Sequence, residues 1–200
     1  VTTSVFPSDG RTRAFLVAQG RAADWVALAA DPDAEYDRVI EIDLGRLEPL
    51  AACPSSPDNI RPVRELASTP VHQVIIGSCT NSSFQDLMRV AAMLKGRVAH
   101  PEVTLAIAPG SRQVLEMLSR NGALADLIAA GARLLEAGCG PCIGQGQSPA
   151  DGTVTLRTFN RNFAGRTGTP GDQAYLVSPE TAAAAALAGA FADPRTLGIP

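Results

Sequence analysis

No run of about 18 consecutive apolar residues occurs in this 200-residue chain, which excludes a membrane-spanning helix. The opening "VTTSVFPSDG" has neither a basic start nor a following apolar segment, so it does not read as a secretion signal. It also lacks an initiator methionine, from which a piece of a longer chain is expected. A basic stripe is missing too. With a net charge of −3 and no Lys/Arg cluster, the phosphate contacts of nucleic-acid binding have no obvious source. Cysteine is scarce: four in 200 residues cannot build a disulfide framework. A reducing, cytoplasmic compartment is therefore expected, where grouped cysteines are more often catalytic or metal-binding than bridged.

What is present suits a globular protein. The hydrophobic fraction of 46% supports a packed core and excludes a disordered chain. Residues 8–30 read as two short helices split at Gly20, and "DRVIEIDL" (37–44) alternates like a strand. From Glu48 to Pro70 five prolines punctuate Ser, Asp and Asn, so this stretch reads as a connector containing a domain boundary.

Beyond Pro70 strands and helices alternate regularly. "VHQVIIG" (71–77), "VTLAIA" (103–108), "ARLLEA" (132–137), "TVTLRTF" (153–159) and "AYLV" (174–177) read as strands. Between them lie an amphipathic helix from Phe84, one capped by Ser111, another over "ALADLIAAG", and an alanine-rich helix capped by Ser178. Such alternation predicts an α/β layered domain. Its loops "GSCTNSS", "GCGPCIGQGQ" and "NRNFAGRTG" all leave the C-terminal ends of strands, the edge where open α/β sheets place ligands.

The loop "GCGPCIGQ" holds Cys139 and Cys142 around Gly140 and Pro141, a spacing open to three readings. A redox dithiol needs its first cysteine at a helix N-terminus, where the dipole lowers the thiol pKa. The glycine-rich "IGQGQSPADG" that follows does not support a helix. A closed zinc site needs four ligands, and beyond the pair there is Cys79 on the first loop, then only His72 or Cys53. His72 is expected inside a buried strand and Cys53 in the connector. An iron–sulfur cluster is the third reading, since thiolates hold such clusters and three of them leave one iron free to act as a Lewis acid. The polar neighbours Ser78, Thr80, Asn81, Ser82 and Ser83 argue against Cys79 being a small core residue. In the third loop, Arg161 and Arg166 have the planar fork that grips carboxylates through paired hydrogen bonds.

Taken together, "TTSVFPSD", "IGSCTNSS", "APGS", "GCGPCIGQ" and "NRNFAGR" resemble, in order, the blocks of the aconitase superfamily: aconitate hydratase, homoaconitase and the 3-isopropylmalate dehydratase large subunit. The match covers nearly the whole chain. It implies the end of a second domain plus connector over 1–63, and a third, cluster-bearing domain of three-layer α/β/α type over 64–200. It further implies that Cys79, Cys139 and Cys142 ligate a 4Fe–4S cluster, with Asn81 and Asn160 beside it. Arg161 and Arg166 would hold a small di- or tricarboxylate substrate. The Gly140–Pro141 pair favours aconitate hydratase, converting citrate to isocitrate through cis-aconitate, with isopropylmalate dehydratase or homoaconitase as the alternative. Ala164 stands where the motif commonly has an acidic residue. The family's N-terminal domain, and its C-terminal swivelling domain with the serine base, have no counterpart in these residues, so no catalytic base is assigned and the segment alone is expected to be inactive. A non-catalytic, RNA-binding iron sensor is the rival reading, and the acidic charge argues against it.

Overall fold

The computed structural model describes residues 4–197. Thr2 and Thr3 of the first motif lie outside them. The chain forms two compact units, one ending at Gly45 and a larger one starting at Arg46.

The first unit is sparse. Helix α1 (Gly10–Ala18) starts where the Asp9 carboxylate accepts from the Arg11 and Thr12 amides, and it buries no residue. The second expected helix is only a 3-10 turn, Ala22–Asp24. The expected strand over 37–44 does not form: Val39, Ile40 and Ile42 are exposed and no ladder includes them. Alternation produces a strand only where an edge and a core face receive it, and here neither does.

The larger unit is built on a seven-stranded sheet ordered β2-β1-β7-β6-β3-β4-β5. Its strands are β1 (Leu50–Ala52), β2 (Ile60–Pro62), β3 (Gln73–Ile76), β4 (Thr104–Ile107), β5 (Arg133–Leu134), β6 (Val154–Arg157) and β7 (Gln173–Leu176). The strands from β7 to β5 run parallel, while β1 and β2 add an antiparallel hairpin to β7. That hairpin corrects the sequence reading, which took 48–70 as a connector. Three-residue strands are too short to show a period, and their prolines fit because β2 is an edge strand with no neighbour beyond it. The strand expected over 132–137 pairs only through Arg133 and Leu134.

Alternate side chains divide between the two faces. Val74, Ile76, Leu105, Ile107, Val154 and Leu156 enter a large core shared with α2 (Phe84–Leu94), α3 (Arg112–Arg120), α4 (Ala123–Ala129) and α5 (Pro179–Ala188). Ala182 to Ala186 are fully buried, as expected of a helix apolar all round, and their small side chains let α5 pack on both α2 and β3. Ile75, Ala106 and Phe159 face the other way and meet Leu135, Cys142 and Leu176. The class is thus α/β, with a helical layer on one face and, on the other, a layer formed by the cysteine loop and its 3-10 turn Gly140–Ile143.

The chain builds outward from β3 through β4 to β5, then returns to the opposite side of β3 for β6 and β7. A reversal of this kind splays the loops at the strands' C-terminal ends and opens a crevice between them.

Candidate cluster and carboxylate site

The first loop leaves β3 through Gly77, whose φ of +101° is left-handed and whose Cβ would lie 2.0 Å from the Ala108 carbonyl oxygen. Only glycine fits. Ser82 then donates to that carbonyl at 2.6 Å, and Ser83 with Asp86 forms a capping box that starts α2. Asn81 Nδ2 donates to the Thr158 carbonyl at 2.8 Å, while the Gly77 amide donates to Thr158 Oγ1. Between these anchors Cys79 is exposed.

The second loop folds Cys139, Gly140, Pro141 and Cys142 into one tight turn. The Cys142 amide donates to Cys139 O, Gly144 N to Pro141 O, and Gln145 N to Gly140 O. A four-residue 3-10 turn follows Cys139 rather than an α-helix, so the dipole that a redox dithiol needs is lacking. Gly144 (φ +83°) closes the turn, and a Cβ there would stand 1.8 Å from the Thr167 carbonyl oxygen. The second loop therefore lies flat on the third.

The third loop is pinned by Asn162, which is buried and donates to the carbonyls of Ala52, Cys53 and Ala174. Asn160 reaches the first loop, donating to Thr80 Oγ1 at 2.7 Å. Arg166, half-buried over the Phe163 ring, donates from Nη2 to Cys142 Sγ at 3.2 Å and leaves its Nε–H without a partner.

A cleft of about 330 Å³ is lined by Cys79, Cys139, Cys142, Asn160, Arg161 and Arg166, together with Gly140, Ile143 and Gln145. Asn81, expected beside the cluster, is not among the lining residues and instead donates to the Thr158 carbonyl. Among the described residues no three His, Cys, Asp or Glu side chains are gathered tightly enough to hold one metal ion. The proposed fourth zinc ligands lie elsewhere. His72 is exposed rather than buried and accepts from the Val154 amide through Nδ1, and Cys53 is buried at the end of β1. Burial pushes the Cys53 thiol pKa up, the direction of an unreactive side chain. The donor set fits a thiolate-held iron–sulfur cluster, whose cysteines stand farther apart than those around a single ion: three thiols, no carboxylate or imidazole in the lining, and a guanidinium against one sulfur.

Residues 1–72 and 62–189 match the family model described as "Aconitase family (aconitate hydratase)". The chain belongs to the aconitase family. It is 43% identical over 192 residues to the 3-isopropylmalate dehydratase large subunit 2 of Archaeoglobus fulgidus, covering 96% of this chain and 46% of that protein. With the 3-isopropylmalate dehydratase large subunit 1 of Thermotoga maritima the identity is 43% over 194 residues, again 96% and 46% of the two chains. With the homoaconitase large subunit of Thermus thermophilus it is 44% over 178 residues, covering 88% of this chain and 42% of that one. This aconitase-family chain spans less than half the length of those relatives. Their names support the alternative of the sequence reading rather than aconitate hydratase, which the Gly140–Pro141 pair had favoured.

One residue of the site escaped sequence reasoning. Arg157, the last residue of β6, is fully buried directly beneath the cysteine turn. A charged residue inside a strand expected to be buried is the signal that could have marked it.

Proposed function

We propose that this chain is the cluster-bearing part of a hydro-lyase of the 3-isopropylmalate dehydratase or homoaconitase large-subunit type, acting on a small hydroxy-dicarboxylate or -tricarboxylate. The observation that carries the reading is the single cleft in which three cysteines meet two arginines. Cys79, Cys139 and Cys142 would hold a 4Fe–4S cluster, which when bound supplies a Lewis-acidic iron without a protein sulfur.

The chain's own residues would bind and orient the substrate. Arg161 is exposed at the rim, free to swing onto a carboxylate, whereas Arg166 is held by Phe163 and Cys142 with its Nε–H turned to no protein acceptor. A carboxylate in the cleft that takes a remaining Nη–H of Arg166 gains a charge-assisted bond from a group already in place. Asn160 ties the first loop to the third, fixing Cys79 relative to both arginines. Proton abstraction is assigned to a residue outside this chain, on a swivelling domain or on the small subunit that the name "large subunit" implies for the relatives.

The test is anaerobic reconstitution with iron and sulfide, followed by assay of the chain completed to a relative's full length and joined by its swivelling partner. Dehydration of 3-isopropylmalate faster than that of citrate is expected. Turnover of citrate alone would return the reading to aconitate hydratase, and a chain that takes up no iron and sulfide would sink it.

A further inference from the structure

The cysteine turn does not rest on solvent or on an apolar bed. Beneath it, on the loop-covered face of β6, Arg157 is 0% exposed. Its Nη1 donates to the Pro141 carbonyl at 2.7 Å, between the two cysteines of the turn. Nη2 donates to the Gln147 carbonyl at 3.3 Å, where the loop ends, and to Gln73 Oε1 at 3.2 Å. Nε reaches Thr155 Oγ1 at 3.4 Å, and the guanidinium lies over the Phe159 ring at 5.4 Å. The side chain is thus fixed by β3 and β6 and spends two of its donors on backbone carbonyls of the cysteine loop.

None of these acceptors is charged. Among the described residues no carboxylate forms an ion pair with Arg157; Asp172 is close enough to act on it electrostatically, as is Cys142. Burial pulls the guanidinium pKa down to about 10, so it stays charged at neutral pH. A fully buried cation among neutral oxygens is costly unless negative charge comes near it. Thiolates on the turn would bring that charge.

We infer that Arg157 is a positioning residue for the cluster, clamping the Cys139–Cys142 turn through the Pro141 and Gln147 carbonyls and holding a fixed positive charge behind its sulfurs. The inference rests on the reading that these cysteines hold an iron–sulfur cluster. Groups that orient metal ligands in this way typically change metal affinity about 10- to 100-fold when removed, and buried charge near a cluster sets its reduction potential.

The test uses Arg157→Met, which removes clamp and charge at similar volume, and Arg157→Lys, which keeps a charge but not the fork. In the metal-free chain, hydrogen exchange at the Cys142, Gly144 and Gln145 amides should quicken about ten-fold or more in both variants, as when a charge-assisted hydrogen bond is lost. In the reconstituted chain both should release iron to a chelator about 10- to 100-fold faster. The Met variant should in addition have a more negative cluster potential than wild type, with Lys in between.

Unchanged exchange at the three amides overturns the clamp, whether or not a cluster assembles. Wild-type potential in a folded Arg157→Met overturns the electrostatic role. If the Met variant does not fold, Arg157→Lys decides: wild-type exchange and iron release in it would defeat the inference. If instead the wild-type chain takes up no cluster while exchange still responds to Arg157, the cluster reading fails and the clamp stands.

Discussion

At the scale of single residues, the site depends on what each side chain can do that its near equivalent cannot. Arg166 sends one N–H to Cys142 Sγ, lies over the Phe163 ring and still lines the cleft, several tasks at the fixed angles of one planar fork. A lysine at that position has one ammonium and no fork. Arg166→Lys in the completed enzyme should therefore lower kcat/KM by on the order of 10²-fold through misplacement of the substrate. Steady-state kinetics checks this, and unchanged kcat and KM would refute the role. Cys53 and Tyr175 show a different residue-level effect. Burial pushes both the thiol and the phenol pKa up, and Cys53 also raises that of Tyr175. An acid whose folded pKa is raised keeps its stability contribution below its unfolded pKa and loses it as pH rises through the folded one. Stability should thus fall on the alkaline side, beginning near the ordinary thiol pKa of about 8.5. Denaturant midpoints measured across that range should decline less in Cys53→Ala and in Tyr175→Phe than in wild type.

At the scale of elements, the close approach of two loops matters more than any one bond. Gly144 closes the cysteine turn in a left-handed conformation, directly against the Thr167 carbonyl and Ser148 Oγ. Gly144→Ala adds about 1–2 kcal/mol of backbone strain and about 1–3 kcal/mol of overpacking. Because the larger core on the opposite face of the sheet is untouched, the loss should fall on the loop layer rather than on the whole unit. The expected outcome is a folded chain, by circular dichroism, that retains reconstituted iron poorly. A Gly144→Ala chain holding its iron as long as wild type would show that the two loops need not touch.

At the scale of the whole molecule, the larger unit has what it needs to fold: a seven-stranded sheet, capped helices and a large core on one face with a smaller one on the other. Catalysis is a separate matter, because a positioned general base typically contributes about 10²- to 10⁴-fold and the residues lining the cleft include none beyond the thiols. We predict that the 200-residue chain assembles a cluster anaerobically but turns over neither 3-isopropylmalate nor citrate at the rate of a completed enzyme. An anaerobic assay of the chain alone decides this. Full-rate turnover would place the base within these residues and displace the roles given to Arg161 and Arg166.

The sequence by itself was enough to establish the α/β class and to mark the loops after β3, β5 and β6, whose Cys79, Cys139, Cys142, Arg161 and Arg166 the fold brings to one cleft. Thiols, guanidinium forks, caps and strand–loop alternation are local properties, legible within a few residues of chain. It overread 21–30 and 37–44, where local preference found no surface to pack on, and it underread the β1–β2 hairpin, whose pairing depends on β7 more than a hundred residues away. Only the tertiary structure could reveal the buried Arg157 under Pro141, the Asn162 anchor to Ala52, Cys53 and Ala174, and the bond from Asn160 to Thr80 across 80 residues of sequence. Burial and hydrogen-bond pairing belong to the space between distant segments, and no local window of sequence contains that space.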